Sequence, residues 1–171
     1  GHGSSRYIGT ERYIEPSDIA TYTNRDRLPL VVTSTCSYGR QDSPDELSGA
    51  ELFILSENGA IGVVSATRKV SHVQRFNTDV MVYSLDPANT IGDAMRIAKN
   101  RTAVSMSFGL TGDPGVRLSL PSNSVVVTKI NGQDVAPGAD DTATVLSRVT
   151  VSGEVHGPDG QLLTDFDGEI Y

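Results

Sequence analysis

The chain has 171 residues, of which 20% are charged and 37% hydrophobic, with one cysteine and a formal net charge of -7 at pH 7. An acidic balance of that size argues against a broad basic face for nucleic acid, and one cysteine excludes an intramolecular disulfide framework. The longest apolar stretches, Leu52 to Leu55 and Ala60 to Val64, fall far short of the roughly 20 residues of a membrane-crossing helix, so neither a nucleic-acid partner nor a membrane-spanning segment is expected.

In chain order, Gly1-His2-Gly3 comes first, and the apolar run Leu28 to Thr35 ends on Cys36. Leu30 to Thr35 is short and β-branched, the pattern of a strand buried on both faces. Ser43-Pro44-Asp45-Glu46 then has the form of a capping box with proline at the first helical position, followed by Leu47, Ala50, Phe53 and Ile54, with Gly59 placed to stop the helix. Ala60 to Ala66 repeats the buried-strand pattern, so the three segments predict a βαβ unit. Val70, Val73, Phe76, Val80 and Met81 recur at helical spacing, as do Ile91, Ala94, Met95 and Ala98 after an N-cap at Asn89 or Thr90. Alternation of strands and helices predicts an α/β class with a mostly parallel sheet and helices on its faces over residues 1–120.

Beyond Pro121 the pattern becomes β-rich. Val125 to Ile130 leads into Asn131-Gly132, a strong hairpin dipeptide; Val149, Val151 and Val155 alternate with polar residues; and Pro158-Asp159-Gly160 supplies another turn. Three or four strands are fewer than the seven or so of an immunoglobulin-like sandwich, so residues 121–171 are expected to form part of one.

The chemistry converges on Cys36. Open α/β sheets place their sites at the carboxyl edges of their strands, and a thiol there becomes a nucleophile when a base takes its proton. His2 is the candidate base, with the backbone N–H groups of Gly3 and Cys36 as candidate oxyanion donors, a glycine letting a carbonyl approach closely. Arg40 follows, read as a solvent-facing loop arginine in preference to one that contacts an acidic substrate group or raises the thiolate content of Cys36. His72 and His156 read as surface residues, since neither has Cys, Asp or Glu at metal-ligand spacing; no metal site is expected.

His-Gly followed by an apolar strand ending in Cys resembles the dyad signature of the caspase-like peptidases. Gly92-Asp93-Ala94, Ala98-Lys99-Asn100, Phe108-Gly109-Leu110-Thr111-Gly112-Asp113-Pro114 and Arg117-Leu118 resemble the close of the peptidase domain in the gingipain-type family, nearest to its PorU-type branch. Ser147 to Gly153 and Asp165-Phe166-Asp167-Gly168 are similar to the segment after that domain in the same enzymes. The resemblance implies a caspase-like fold whose N-terminal part lies upstream of these residues, so that the isolated segment is expected to be inactive.

It further implies a cysteine endopeptidase of the type IX secretion system, secreted or held on the outer-membrane surface of a Gram-negative bacterium. Such enzymes remove the C-terminal signal domain of exported proteins and, as sortases, pass the new carboxyl end to an amine of an anionic lipopolysaccharide. Partners would be those cargo proteins and other secretion components. Carried onto this sequence, His2 matches the catalytic histidine and Cys36 the nucleophile, while Ser65, Ala66, Thr67 and Arg68 fall where substrate is lined. No cofactor is implied apart from calcium, which gingipain-type enzymes sometimes bind and for which Asp134, Asp140, Asp141, Asp165 and Asp167 are the acidic candidates; solvated turns explain them more simply, because an EF-hand loop needs further ligands. A non-catalytic structural or partner-binding fragment of a secreted surface protein is the alternative.

Overall fold

The computed structural model describes residues 2–71, 74–102, 106–135 and 147–167. Of the residues singled out above, Gly1, His72, Val73, Asp140, Asp141 and Gly168 lie outside them. The chain divides into two compact units, Gly1–Ser119 and Leu120–Tyr171.

The first unit is built on a three-stranded sheet in the order β1-β2-β3, with β1 at Leu30–Val32, β2 at Gly62–Ala66 and β3 at Phe108–Gly112. One helix, α2 (Gly49–Leu55), joins β1 to β2 and returns the chain to its starting end, so the two strands run parallel with Leu30 opposite Gly62 and Val32 opposite Val64. Two helices, α3 (Gln74–Ser84) and α4 (Ile91–Arg101), separate β2 from β3 and leave the chain at the other end. The last strand therefore runs antiparallel, pairing Ala66 with Phe108 and Gly62 with Gly112. The sheet thus holds one parallel and one antiparallel ladder rather than the run of parallel strands that simple alternation suggests.

Every residue of β2 is buried, because its alternate side chains enter two cores. Val64 and Ala66 pack with Phe76 and Val80 of α3, Met95 and Ala98 of α4, and Phe108 of β3. Val63, on the opposite face, packs with Ala50 and Phe53 of α2, Tyr38, Ala60, and Ile19 of the short helix α1 (Pro16–Ile19). The rings of Phe76 and Phe108 lie 4.3 Å apart, centroid to centroid.

The second helix starts later than the Ser43-Pro44-Asp45-Glu46 pattern predicts. Ser48 is its N-cap: the Ser48 hydroxyl accepts the Glu51 N–H (3.3 Å), and Glu51 Oε2 accepts the Ser48 N–H and hydroxyl, both at 2.8 Å. Ser48-x-x-Glu51 is an equally good capping box, and tertiary packing selects it, since Gly49 slides under Tyr38 where a Cβ would overlap the ring. The fourth helix starts as its sequence predicts, with Thr90 as N-cap and Asp93 closing the box.

In the second unit β4 (Ser124–Ile130) pairs antiparallel with β5 (Gln133–Asp134) and with β6 (Val151–His156). Asn131 and Gly132 take the positive φ values, 50° and 81°, that a tight hairpin turn demands. Among the described residues these three strands form one sheet, and Val125, Val126 and Val127 stay partly exposed.

Ser48→Ala is expected to lower stability by about 1–2 kcal/mol, measured by denaturant unfolding; an unchanged midpoint would show that the cap does not help to determine the fold. The Thr90 N–H and hydroxyl, with Arg96, hold the Asp93 carboxyl below its usual range. Its contribution is therefore present above the unfolded value of about 3.9 and lost as pH falls through the lower folded value. Asp93→Asn should flatten that part of the acid-side melting profile, and an unaltered profile would contradict the capping contact.

Candidate active site

Cys36 stands just past the carboxyl end of β1. The ladder continues one bond further, from the Thr33 N–H to Val64 O (2.9 Å), and then the chain reverses. Ser37, at φ 60°, donates its N–H to Arg68 O (3.1 Å), and Gly39 donates to Ala66 O (2.9 Å). Residues 33–39 therefore run up beside 64–68 and come back along it, with Cys36 at the bend. A left-handed non-glycine residue costs about 1–2 kcal/mol, and such a conformation persists where the surrounding bonds over-determine it.

Both sides of the bend are anchored. On the far side Tyr38 is fully buried, its carbonyl accepts the Ala50 N–H (3.2 Å), and burial pushes its phenol well above the usual range. On the near side the buried Asn77 of α3 donates from Nδ2 to Thr33 O (3.0 Å) and to the Ser34 hydroxyl. The half-buried Cys36 Sγ lies 3.5 Å from both the N and the O of Val70, so the Val70 N–H donates to the sulfur and the S–H can donate to the Val70 carbonyl.

The N-terminal segment closes on the same place. Ser4 N–H to Tyr7 O (3.0 Å) and Gly9 N–H to His2 O (2.8 Å) flank the antiparallel Gly3–Ile8 pair. In that register Gly3 belongs to a non-hydrogen-bonded pair, so its own N–H points away from the Ile8 strand. Among the described residues neither the Gly3 nor the Cys36 N–H has an acceptor. A Cβ on Gly3 would overlap Thr35 Oγ1 and come within 2.7 Å of Tyr7 O, so the Gly3 backbone packs directly on Thr35. The residue after His2 thus touches the residue before Cys36, while His2 itself is exposed.

The four residues expected to line substrate divide. Ser65 and Ala66 are buried in β2. Thr67 is half-buried, and its N–H and hydroxyl both donate to Ser107 O, at 2.7 and 3.1 Å. Arg68 is exposed and reaches Asp42 Oδ2 with Nη2 (2.9 Å), while Arg40 Nε reaches Oδ1 of the same carboxylate (2.9 Å). The Arg40 hydrogen bond, assisted by the Arg68 charge, holds the Asp42 carboxyl below its usual range.

Among the described residues no three His, Cys, Asp or Glu side chains cluster as a metal ion requires. Asp134 is ion-paired with Lys129 (3.3 Å).

Sequence reasoning missed Ser37, Val70 and Asn77. Cys36-Ser37-Tyr38-Gly39, a small polar residue and a glycine directly after an apolar strand, carried the signal for the reversal. Val70 is expected on a helical face, but α3 starts at Gln74 and leaves it outside; nothing in the local sequence marks its contact with Cys36 or that of Asn77 with Thr33, which join positions far apart along the chain.

A match to peptidase family C25 spans residues 1–119. No curated protein matches the chain. Among solved structures, the crystal structure of the Arg-specific cysteine proteinase gingipain R (RGPB) matches with a TM-score of 0.57 at 18% identity, over 74% of this chain and 34% of that one. A second, described as "Structure of Protease", matches with a TM-score of 0.57 at 13% identity, over 96% of this chain and 48% of that one. The chain therefore spans about a third to a half of the length of these structures. At such identities the likeness is one of fold, the caspase-like α/β arrangement of gingipain.

Gly3→Ala is expected to cost about 1–3 kcal/mol through overpacking, and Thr35→Ala, which removes Oγ1, should recover part of that loss in the double variant. Strictly additive losses in the unfolding midpoints would contradict the Gly3–Thr35 contact.

Proposed function

Since the chain belongs to peptidase family C25, we propose that it carries the nucleophile and the base of a cysteine endopeptidase, Cys36 and His2. The observation that supports this most is the packing of Gly3 on Thr35, which joins the segment bearing the imidazole to the bend bearing the thiol.

In this mechanism His2 takes the proton from the Cys36 thiol as the sulfur attacks the scissile carbonyl. Negative charge then gathers on the former carbonyl oxygen. The Gly3 and Cys36 N–H groups are available to receive it, and each such donor contributes about 3–4 kcal/mol of transition-state stabilisation. Collapse of the tetrahedral intermediate breaks the C–N bond, His2 gives its proton to the departing amine, and an acyl thioester on Cys36 remains. Water resolves the thioester in hydrolysis, and an amine resolves it in transpeptidation.

The substrates we assign are exported proteins bearing C-terminal signal domains, cleaved at the surface of a Gram-negative bacterium with other type IX secretion components as partners. Transfer of the new carboxyl end to an amine acceptor is part of the same assignment. Thr67 and Arg68 would meet the substrate chain, with Ser65 and Ala66 supporting them from inside β2. Residues 121–171 would belong to an immunoglobulin-like module following the peptidase domain. Similarity of the sequence motifs to PorU-type enzymes supports these finer points.

In the full-length enzyme Cys36→Ala should reduce processing at least about a thousandfold while shifting stability by only about 1 kcal/mol. His2→Ala should cost about 10²–10⁴ in rate. Cleavage assays on a C-terminal-domain substrate read both, and processing that survives Cys36→Ala would leave the non-catalytic, partner-binding alternative in its place.

A further inference from the structure

Three charged side chains meet on the surface next to the Cys36 bend. Asp42 receives Arg40 Nε on one carboxylate oxygen and Arg68 Nη2 on the other, both at 2.9 Å. Arg68 Nη1 is turned onto Thr67 O (2.7 Å), and the Arg68 backbone carbonyl accepts the N–H of Ser37, the residue directly after the thiol (3.1 Å). The side chains are between 48% and 59% exposed.

The group carries two guanidinium charges against one carboxylate, and exposed Lys69 adjoins it in sequence. This is a local excess of positive charge on a chain whose formal net charge is -7. Exposed ion pairs are weak in water, so a carboxylate delivered on a bound peptide can exchange with Asp42 at little cost. Guanidinium forks recognise carboxylates by shape as well as charge. A basic substrate residue brought to the same place would meet net positive charge.

We propose that Arg68, with Arg40 beside it, reads a side-chain carboxylate of the substrate near the scissile bond, and that Asp42 holds the two guanidinium groups in place until that carboxylate arrives. This rests on the peptidase reading above and deepens it by naming the substrate class, peptides acidic close to the cleaved bond. Arg68 is then a specificity-determining residue, and Asp42 is a resident competitor for its site.

The test uses the full-length enzyme and internally quenched peptides in which a single Glu is moved from three residues before the cleaved bond to three after it, each paired with its Gln counterpart. Labelling of Cys36 by an uncharged peptidyl acyloxymethyl ketone is followed in parallel by mass. At one position kcat/KM for the Glu peptide should exceed that for Gln by about tenfold or more. Arg68→Gln should bring that ratio to about one, Arg68→Lys should retain part of it because charge survives without the fork, and Asp42→Asn should raise it. Glu rates equal to or below the Gln rates at every position, with Cys36 still labelled, overturn the carboxylate reading and leave the peptidase reading standing. Neither labelling nor cleavage in the unsubstituted enzyme overturns both.

Discussion

Three backbone hydrogen bonds place the thiol: Thr33 to Val64, Ser37 to Arg68 and Gly39 to Ala66. Their acceptors all lie on β2 or its continuation, so the geometry of the bend is only as fixed as that strand. β2 is fixed because its two sets of side chains enter different cores, Val63 towards α2 and Val64 and Ala66 towards α3 and α4. A slip of one residue would turn each set to the wrong face. The position of Cys36 is therefore a consequence of hydrophobic packing on both sides of one five-residue strand.

The same logic explains which side chains are polar and buried near the site. Asn77 is buried in α3, where an amide is costly unless it is bonded, and its Oδ1 has no partner among the described residues. It donates to the Thr33 carbonyl and the Ser34 hydroxyl, which couples the helix to the segment leading into the thiol. On the opposite side Tyr38 ties the descending arm of the bend to α2 through its carbonyl and its buried ring. The bend is thus held from both helical layers.

Much of this was legible in the sequence where a single period decided the matter. The apolar spacing of Ile91, Ala94, Met95 and Ala98 and the Thr90 cap give α4 almost to the residue, and Asn131-Gly132 gives the hairpin turn because few other residue pairs tolerate two positive φ values. The sequence pattern misplaces the start of α2 because a second capping box lies shortly after the first, and only the packing of Gly49 under Tyr38 chooses between them. β3 carries no strand signal of its own, since Phe108 to Gly112 is short and contains two glycines, and its direction follows from the number of helices before it. At the site, the place of Cys36 after an apolar strand is legible in the sequence, while the parts proposed for Cys36, His2 and Gly3 come from residue type and from resemblance. The left-handed Ser37, the Asn77 brace and the Val70 contact depend on residues far apart in sequence, which no local pattern encodes.

In the proposed mechanism the segment carrying His2 and the bend carrying Cys36 form one reaction centre, with Gly3 packed on Thr35 as the joint. A crystal structure of the full-length enzyme, trapped with a peptide aldehyde on the Cys36 sulfur, measures this most directly. It should place an imidazole nitrogen of His2 within about 3–4 Å of that sulfur or of the hemithioacetal oxygen, and that oxygen against the Gly3 and Cys36 N–H groups. Another residue in the place of the imidazole, with His2 turned away to solvent, would contradict the claim.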